Sequence, residues 1–402
     1  MKHAVVLAGV VAIEIAMSIA LMPWTNHDRI KTTDFVNFYA AASIVRAGNG
    51  PILYKAETQD PVLRSILGRK SLDYFLHPPF FAAAMVPLSY LTVERAFVVW
   101  TLFNLALIGS LPTILAECVS FVARKPYLGL IGMVFFPVLT TLTLGQDSIV
   151  LLFTITIGYV LLVRRHDAAA GLVFALATIK FQYVLVIVGF LLIARRFRVV
   201  AGFAVGGVIL LLASLLVTGF AGFTDYVRFV RDYDLHDGYG AMHLAQMVNW
   251  RGFFAGMGWM IHIRAYSAVG STLLLVLGVI CSRSARAAAS PDLAFCLYVA
   301  IAVAGSPYAY FQDATLLLLP IFLAMDSVVS GRIRGTGAAI LAACCVFVFV
   351  WPIILLIMGG HYWWNSRIYL VFPAILLFIA ALAAELYPRR GVLAAKAIPT
   401  AV

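Results

Sequence analysis

Residues 199–219 read VVAGFAVGGVILLLASLLVTG and carry no charge. At about 1.5 Å per residue, a helix of that length rises about 30 Å, the thickness of a bilayer's hydrocarbon core. Arg195, Arg196 and Arg198 stand before it and Asp225 after it. Similar runs recur at 4–24, 94–118, 127–144, 149–163, 263–281, 291–305, 313–330, 337–359 and 367–387, with shorter ones at 78–92, 168–179 and 182–194. The chain is 63% hydrophobic and 12% charged, with a mean hydropathy of +0.98. Soluble globular domains carry about 25% charged residues, so that class is excluded. The pattern predicts an all-α, polytopic helical membrane protein, a single integral domain over 1–402 with about 12 transmembrane helices, 11 to 13 in range.

The first run follows Lys2 and His3, as a signal peptide would, but Glu14 interrupts it and no cleavage site stands out. It reads as an uncleaved first crossing. Cys118, Cys281, Cys296, Cys344 and Cys345 all lie in apolar segments without metal-ligand spacing, as packing residues do.

The net charge of +11 has a topological origin. Arg124-Lys125, Arg164-Arg165, Arg195-Arg196-Arg198, Arg283 with Arg286, Arg332 with Arg334, and Arg389-Arg390 each sit in a short loop or tail beside a crossing. The positive-inside rule puts those loops in the cytoplasm. Segments 25–77 and 220–260 then lie outside, with Asp28, Asp34, Glu57, Asp60, Asp73, Asp225, Asp232, Asp234 and Asp237; Asp147 and Asp313 fall at turns on the same face. Parity makes 78–92 a partial or re-entrant segment. It makes 168–194 a hairpin of two short helices with Lys180, Phe181 and Gln182 near its outer tip. Helical spacing of Phe35, Phe38, Tyr39, Ala42 and Val45 predicts an amphipathic surface helix over 34–46. Pro61 is placed to begin a second helix, and Phe223, Tyr226, Val227 and Val230 mark a third.

Most of the polar residues admit two readings. Asp34 is either an N-cap or a general base at the membrane surface. Pro78-Pro79 suit a helix entrance, and His77 ahead of them is an interfacial histidine. Gly145-Gln146-Asp147 is turn chemistry or a sugar contact through Gln146. Lys180, deep in an apolar hairpin, either snorkels or binds a lipid phosphate. His243, Asn249 and Arg251 precede a crossing, where Trp250-Arg251 is an interfacial anchor or an anion site. Asp313 is placed to cap the following helix. No phosphate-binding Gly-rich loop, metal-ligand spacing or nucleophile elbow is present, and Asp232-Tyr233-Asp234 matches a nucleotide-sugar motif only by letters.

An ordered set of pieces goes further: DFVNFYAAASIVRAGNGPILY (34–54), HPPFFAAAMVPLSYL (77–91), LGQDSIVLL (144–152), AGLVFALATIKFQ (170–182), NWRG (249–252) and SPYAYFQD (306–313). Together they resemble glycosyltransferase family 87, a GT-C branch that includes mannosyltransferases of phosphatidylinositol mannoside assembly. The departures are His77 in place of tyrosine and Phe181-Gln182 in place of a common Lys-Pro pair. The resemblance implies an inverting, metal-independent transferase of the cell inner (plasma) membrane, active on its external face. It implies a hexose, mannose first, moved from a polyprenyl-phosphate donor to a lipid or glycan acceptor, with no nucleic acid involved. Asp34 would be the base. Lys180, Arg251, His243 and Tyr310 would hold the donor phosphate, and Tyr39, His77, Gln146, Asn249 and Asp313 would orient sugar or acceptor hydroxyls. Loops 25–77 and 220–260 would cover the site. The competing classes are a transporter or flippase of a lipid-linked saccharide, and a non-catalytic scaffold.

Overall fold

The structure, a computed structural model, describes residues 27–69, 73–232, 243–359 and 367–387. The expected crossing at 4–24, together with Asp234, Asp237 and Arg389-Arg390, lies outside the described residues. Those described are helical, without a strand. The chain runs through α1 (Phe35–Arg46), α2 (Ala56–Leu67), α3 (Pro79–Met85), α4 (Val93–Leu115) and α5 (Phe136–Leu144). It continues through α6 (Ser148–Val163), α7 (Asp167–Leu176), α8 (Phe181–Ile193), α9 (Phe197–Asp232) and α10 (Trp250–Gly256). The last third holds α11 (Ile263–Ser282), α12 (Pro291–Gly305), α13 (Leu318–Val329), α14 (Gly335–Gly359) and α15 (Val371–Leu386). Among the described residues, 7 helical segments are long and apolar enough to cross a membrane, or 8 if the pair Pro126–Val134 and Phe136–Leu144, bent by 56°, is one span.

One of these segments, Asp167–Ile193, folds back on itself. Its start lies beside the start of α9, where Arg196 grips the Asp167 carboxylate through Nε at 2.9 Å and through its terminal NH2 at 2.6 Å. The two helices then run side by side in the same direction. Gly171 abuts Val199 and Phe203, Gly202 abuts Ala168, and Gly206 abuts Ala175 and Leu172. Both ends of 167–193 are therefore on one rim, and the short helix Ala177–Lys180 is the tip of the hairpin. Its arms splay: α7 lies against α6 and α9, while α8 packs on α11 and α12, with Phe190 and Tyr298 ring centroids 5.0 Å apart.

Basic side chains gather on the rim where the hairpin begins. Arg164 pairs with Glu117 at 2.5 Å, and Arg332 with Asp292 at 3.0 Å and Asp326 at 2.8 Å. From that rim α4 and α6 rise together, but α4 has 23 residues and α6 has 16. At the helical rise, α6 ends about 10 Å short. A hydrogen bond records the difference: Trp100, two turns inside the far end of α4, donates from Nε1 to the Gly145 carbonyl just before α6, at 2.8 Å. The 15-residue α12 is similarly short. Short inner helices within longer outer ones leave a recess opposite the basic rim.

The elements above the recess differ in part from expectation. The predicted surface helix is α1, but it is wedged inside, with seven residues buried including Val36, Ala40, Ala41 and Ile44. Alanines on its remaining faces let α2, α3, α4 and the turn 86–90 approach closely. Helix α2 begins at Ala56 rather than Pro61, and the carbonyl that Pro61 cannot bond belongs to the exposed Glu57. The third predicted helix is the end of α9 beyond a kink at Gly219 (φ 64°, ψ 179°). Its buried face is Tyr226 and Phe229, with Val227 exposed. The two expected cover loops touch there, Tyr54 against Tyr226 with centroids 4.9 Å apart and Tyr74 against Phe229 at 6.3 Å.

The α7–α9 seam has no room for a side chain: a Cβ on Gly202 would sit 2.0 Å from the Ala168 carbonyl oxygen, whereas Gly207 has open space. Gly202→Val is expected to destabilise the protein by about 1–3 kcal/mol or more and Gly207→Ala to be near neutral, read as melting temperatures in detergent.

A candidate active site on a polar floor

Three helix junctions meet in the recess. The α5–α6 turn begins at Gly145 in the left-handed conformation (φ 64°), where a Cβ would lie 2.6 Å from Phe35 Cβ, so only glycine lets the turn pass beneath α1. The hairpin tip contributes Lys180, and the link between α12 and α13 contributes Asp313. The Lys180 ammonium lies 2.8 Å from Asp147 Oδ1 and 2.6 Å from Asp313 Oδ1. Ser148 Oγ donates to Asp313 Oδ1 at 2.7 Å, and the other Asp313 oxygen accepts from the Tyr310 backbone N–H at 3.1 Å. Tyr183 ties α8 to the same link through its hydroxyl, 3.3 Å from the Tyr308 carbonyl.

His77 extends the cluster, with Nε2 3.0 Å from Asp147 Oδ2. Its ring stands edge-on to Phe38 at 4.9 Å and is flanked by Phe75 and Phe81, while Tyr54 donates to its backbone carbonyl at 2.6 Å. Asp147 is fully buried; burial alone would oppose its charge, but Lys180 and His77 outweigh this and hold its carboxyl well below the usual range.

Asp34 lies above this floor. It occupies the N-cap position of α1 in helical backbone geometry (φ −70°, ψ −18°), yet its side chain makes no capping hydrogen bond. The carboxylate accepts instead from Gln146 Nε2, 2.6 Å from Oδ2. It is half-buried, and burial pushes its pKa up from 3.8 to about 6, against the Gln146 hydrogen bond and with a further push from Asp73. Burial raises the Asp73 carboxyl as well, opposed by His243.

The expected residues separate into two groups. Asp34, Gln146, Lys180, Asp313 and His77 form one connected network. Asn249 and Arg251 come from a segment pinned to the α12–α13 link: Val248 N–H donates to Ala309 O at 2.9 Å and Asn249 Nδ2 to Ser306 O at 2.9 Å. The Asn249 side-chain oxygen caps α10 by accepting from Gly252 N–H at 3.0 Å. Arg251 is buried, with its guanidinium 5.1 Å from the Tyr308 ring centre. Tyr310 is half-buried and His243 exposed beside them. Tyr39 belongs to neither group; its hydroxyl donates to Leu91 O at 2.7 Å. Asp147 and Ser148, absent from the expected set, are the network's buried centre. For Asp147 the signal was present: like Asp313, it is an acidic residue at an apolar helix end, level with the only lysine of the hairpin.

The profile of glycosyltransferase family 87 matches residues 75–309, more than half of the chain. The chain belongs to glycosyltransferase family 87. The matched span holds His77, Gln146, Asp147, Lys180, Asn249 and Arg251 but not Asp34 or Asp313, which join the site through geometry. A search of curated proteins and one of solved structures each return no match. With the apolar helices, membership makes this protein a multi-pass membrane glycosyltransferase, acting on a sugar donor and an acceptor.

Removing the lysine leaves two buried carboxylates face to face. Lys180→Met is expected to lower stability by about 3–5 kcal/mol, and Lys180→Met/Asp313→Asn to recover much of the loss. Thermal unfolding of the two variants in one detergent checks this.

Proposed function

We propose that the protein transfers a hexose, with mannose the first candidate, from a polyprenyl-phosphate donor to a hydroxyl of a lipid or glycan acceptor. Asp34 acts as general base at the external face of the inner membrane. The observation that carries the reading is the state of Asp34: at the mouth of the recess, released from helix capping, gripped on one oxygen only, with a pKa of about 6. A carboxylate there is ionised at neutral pH yet basic enough to take a proton during attack. The basic rim opposite, read by the positive-inside rule, supports an external recess.

In the proposed step the acceptor oxygen attacks the anomeric carbon as its proton passes to Asp34. The bond from that carbon to the phosphate oxygen breaks on the opposite side, and its electron pair leaves with the lipid phosphate. Configuration inverts. Arg251, with His243 and Tyr310, meets the phosphate charge, so the scheme needs no metal. Lys180, expected to share that task, has its ammonium committed to Asp147 and Asp313, and the surrounding charge is negative. Asn249 and Asp313 are likewise engaged, so sugar hydroxyls fall to the second N–H of the Gln146 amide and to Nδ1 of His77, the ring nitrogen not bonded to Asp147, and Tyr39 serves the position of α1. The exposed side chains Phe181, Leu185 and Leu192 of α8 lead from the recess along the bundle and suit the polyprenyl tail. The cover made by the loop helices limits hydrolysis. Transporters usually hold their polar groups near the midplane between repeated halves, whereas this network sits at one end of the helices.

The test is sugar transfer in membrane vesicles from radiolabelled polyprenyl-phosphomannose. Asp34→Asn is expected to lose about 10²–10⁴-fold in turnover. For the wild type, kcat/KM is expected to fall tenfold per pH unit below about 6, where Asp34 is protonated. The stability sign is opposite to that of a paired carboxylate. Because folding raises this pKa, the ionised form costs stability above about 6, and the cost vanishes as pH falls toward 3.8. Asp34→Asn should therefore melt no lower than wild type at pH 7. A melting point well below it would mean that the lost activity reflects unfolding.

A further inference from the structure

Lys180 is too deeply engaged to receive a substrate, yet it lies one side chain away from Asp34. We propose that Lys180 is a positioning residue: it fixes the orientation of the Gln146 amide, which holds Asp34 Oδ2 and leaves Oδ1 to face the acceptor hydroxyl. The inference rests on the assignment of Asp34 as base and adds how that base is aimed.

The geometry is a short relay. The ammonium donates to Asp313 Oδ1 at 2.6 Å, while Asp147 Oδ1, 2.8 Å away, is its ion-pair partner without a hydrogen bond. Its other two N–H groups are directed at Gln146 Oε1, 3.4 Å away, and Ser148 Oγ, 3.3 Å away. Ser148 sends its own proton to Asp313, so its oxygen is also an acceptor towards the ammonium. Gln146 Nε2 then donates to Asp34 Oδ2 at 2.6 Å. An ammonium has no acceptor and an ionised carboxylate no donor. Of the two amide orientations only one satisfies both neighbours; the other would set N–H against ammonium and C=O against carboxylate. The choice is therefore dictated by chemistry.

The hairpin supplies what this needs. Ion pairs with both Asp147 and Asp313 hold the ammonium in place, with an N–H left for Gln146. Asp34 is faced by Gln146 from the α5–α6 turn, by Lys180 from the hairpin tip, by Asp73 from the segment before α3 and by His243 from the segment before α10. Asp147, Asp313 and His77 stand behind the lysine. Of the facing groups, Gln146, Lys180 and His243 favour the carboxylate and Asp73 opposes it. Gln146 alone touches it among the hydrogen bonds described, which gives this amide directional control.

The experiment is infrared difference titration of the purified full chain in lipid nanodiscs, following the carboxylic C=O band that Asp34→Asn abolishes. No substrate is needed. In the wild type the band should titrate near pH 6. Gln146→Met, which keeps length and loses the donor, should move the midpoint up by about one unit. Lys180→Met/Asp313→Asn, which keeps the buried charge count closer to balance than the single change, should move it up as well. An unmoved midpoint in Gln146→Met overturns the inference. A shift in Gln146→Met without one in the double variant overturns the part given to Lys180. Failure of the base assignment reads differently: Asp34→Asn would keep its turnover in the transfer assay while the infrared midpoints still moved.

Discussion

Everything at the recess depends on one ammonium held between two carboxylates. Each of these ions would lose several kcal/mol on leaving water alone, and only close mutual contact offsets that cost. Lys180, Asp147 and Asp313 come from three separate helix junctions. Their contact therefore fixes the relative heights of α6, α8 and the α12–α13 link in a way that apolar packing, which tolerates sliding, does not. Around it the α7–α9 glycine seam sets lateral spacing, and the Trp100–Gly145 bond sets depth.

Depth then decides chemistry. Inner helices of 15 or 16 residues inside outer ones of 20 or more put the polar network below the ends of the outer helices. The burial that raises the Asp34 pKa to about 6 is what the proposed role of base at neutral pH calls for. Gly145 joins the two effects, since its bare Cα lets α1, with Asp34 at its start, settle onto the turn that carries Gln146 and Asp147.

Much of this was legible in the sequence. Apolar run lengths gave the helices, arginine placement gave the common rim, and parity alone folded 168–194 into a hairpin with Lys180 at its tip. The ordered motifs led to the family. Less legible was anything set by contact between distant segments. Asp147 looked like turn chemistry because its partners Lys180 and His77 are 33 and 70 positions away, beyond any local pattern. Helix α1 looked like a surface helix because alanine, small enough for close packing, does not read as buried. Pro61 looked like a helix start because an exposed carbonyl that tolerates it leaves no trace in sequence. Lys180 stood out in the sequence as a phosphate ligand, but a lone lysine in an apolar segment does not reveal two carboxylates already waiting for it.

The most direct measurement is an electron cryomicroscopy structure of the Asp34→Asn variant in nanodiscs with polyprenyl-phosphomannose bound. The account predicts the sugar in the recess with its anomeric carbon facing residue 34, the phosphate near Arg251, and Lys180 still held by Asp147 and Asp313. A phosphate seated on Lys180, or a donor bound at the basic rim, would contradict it.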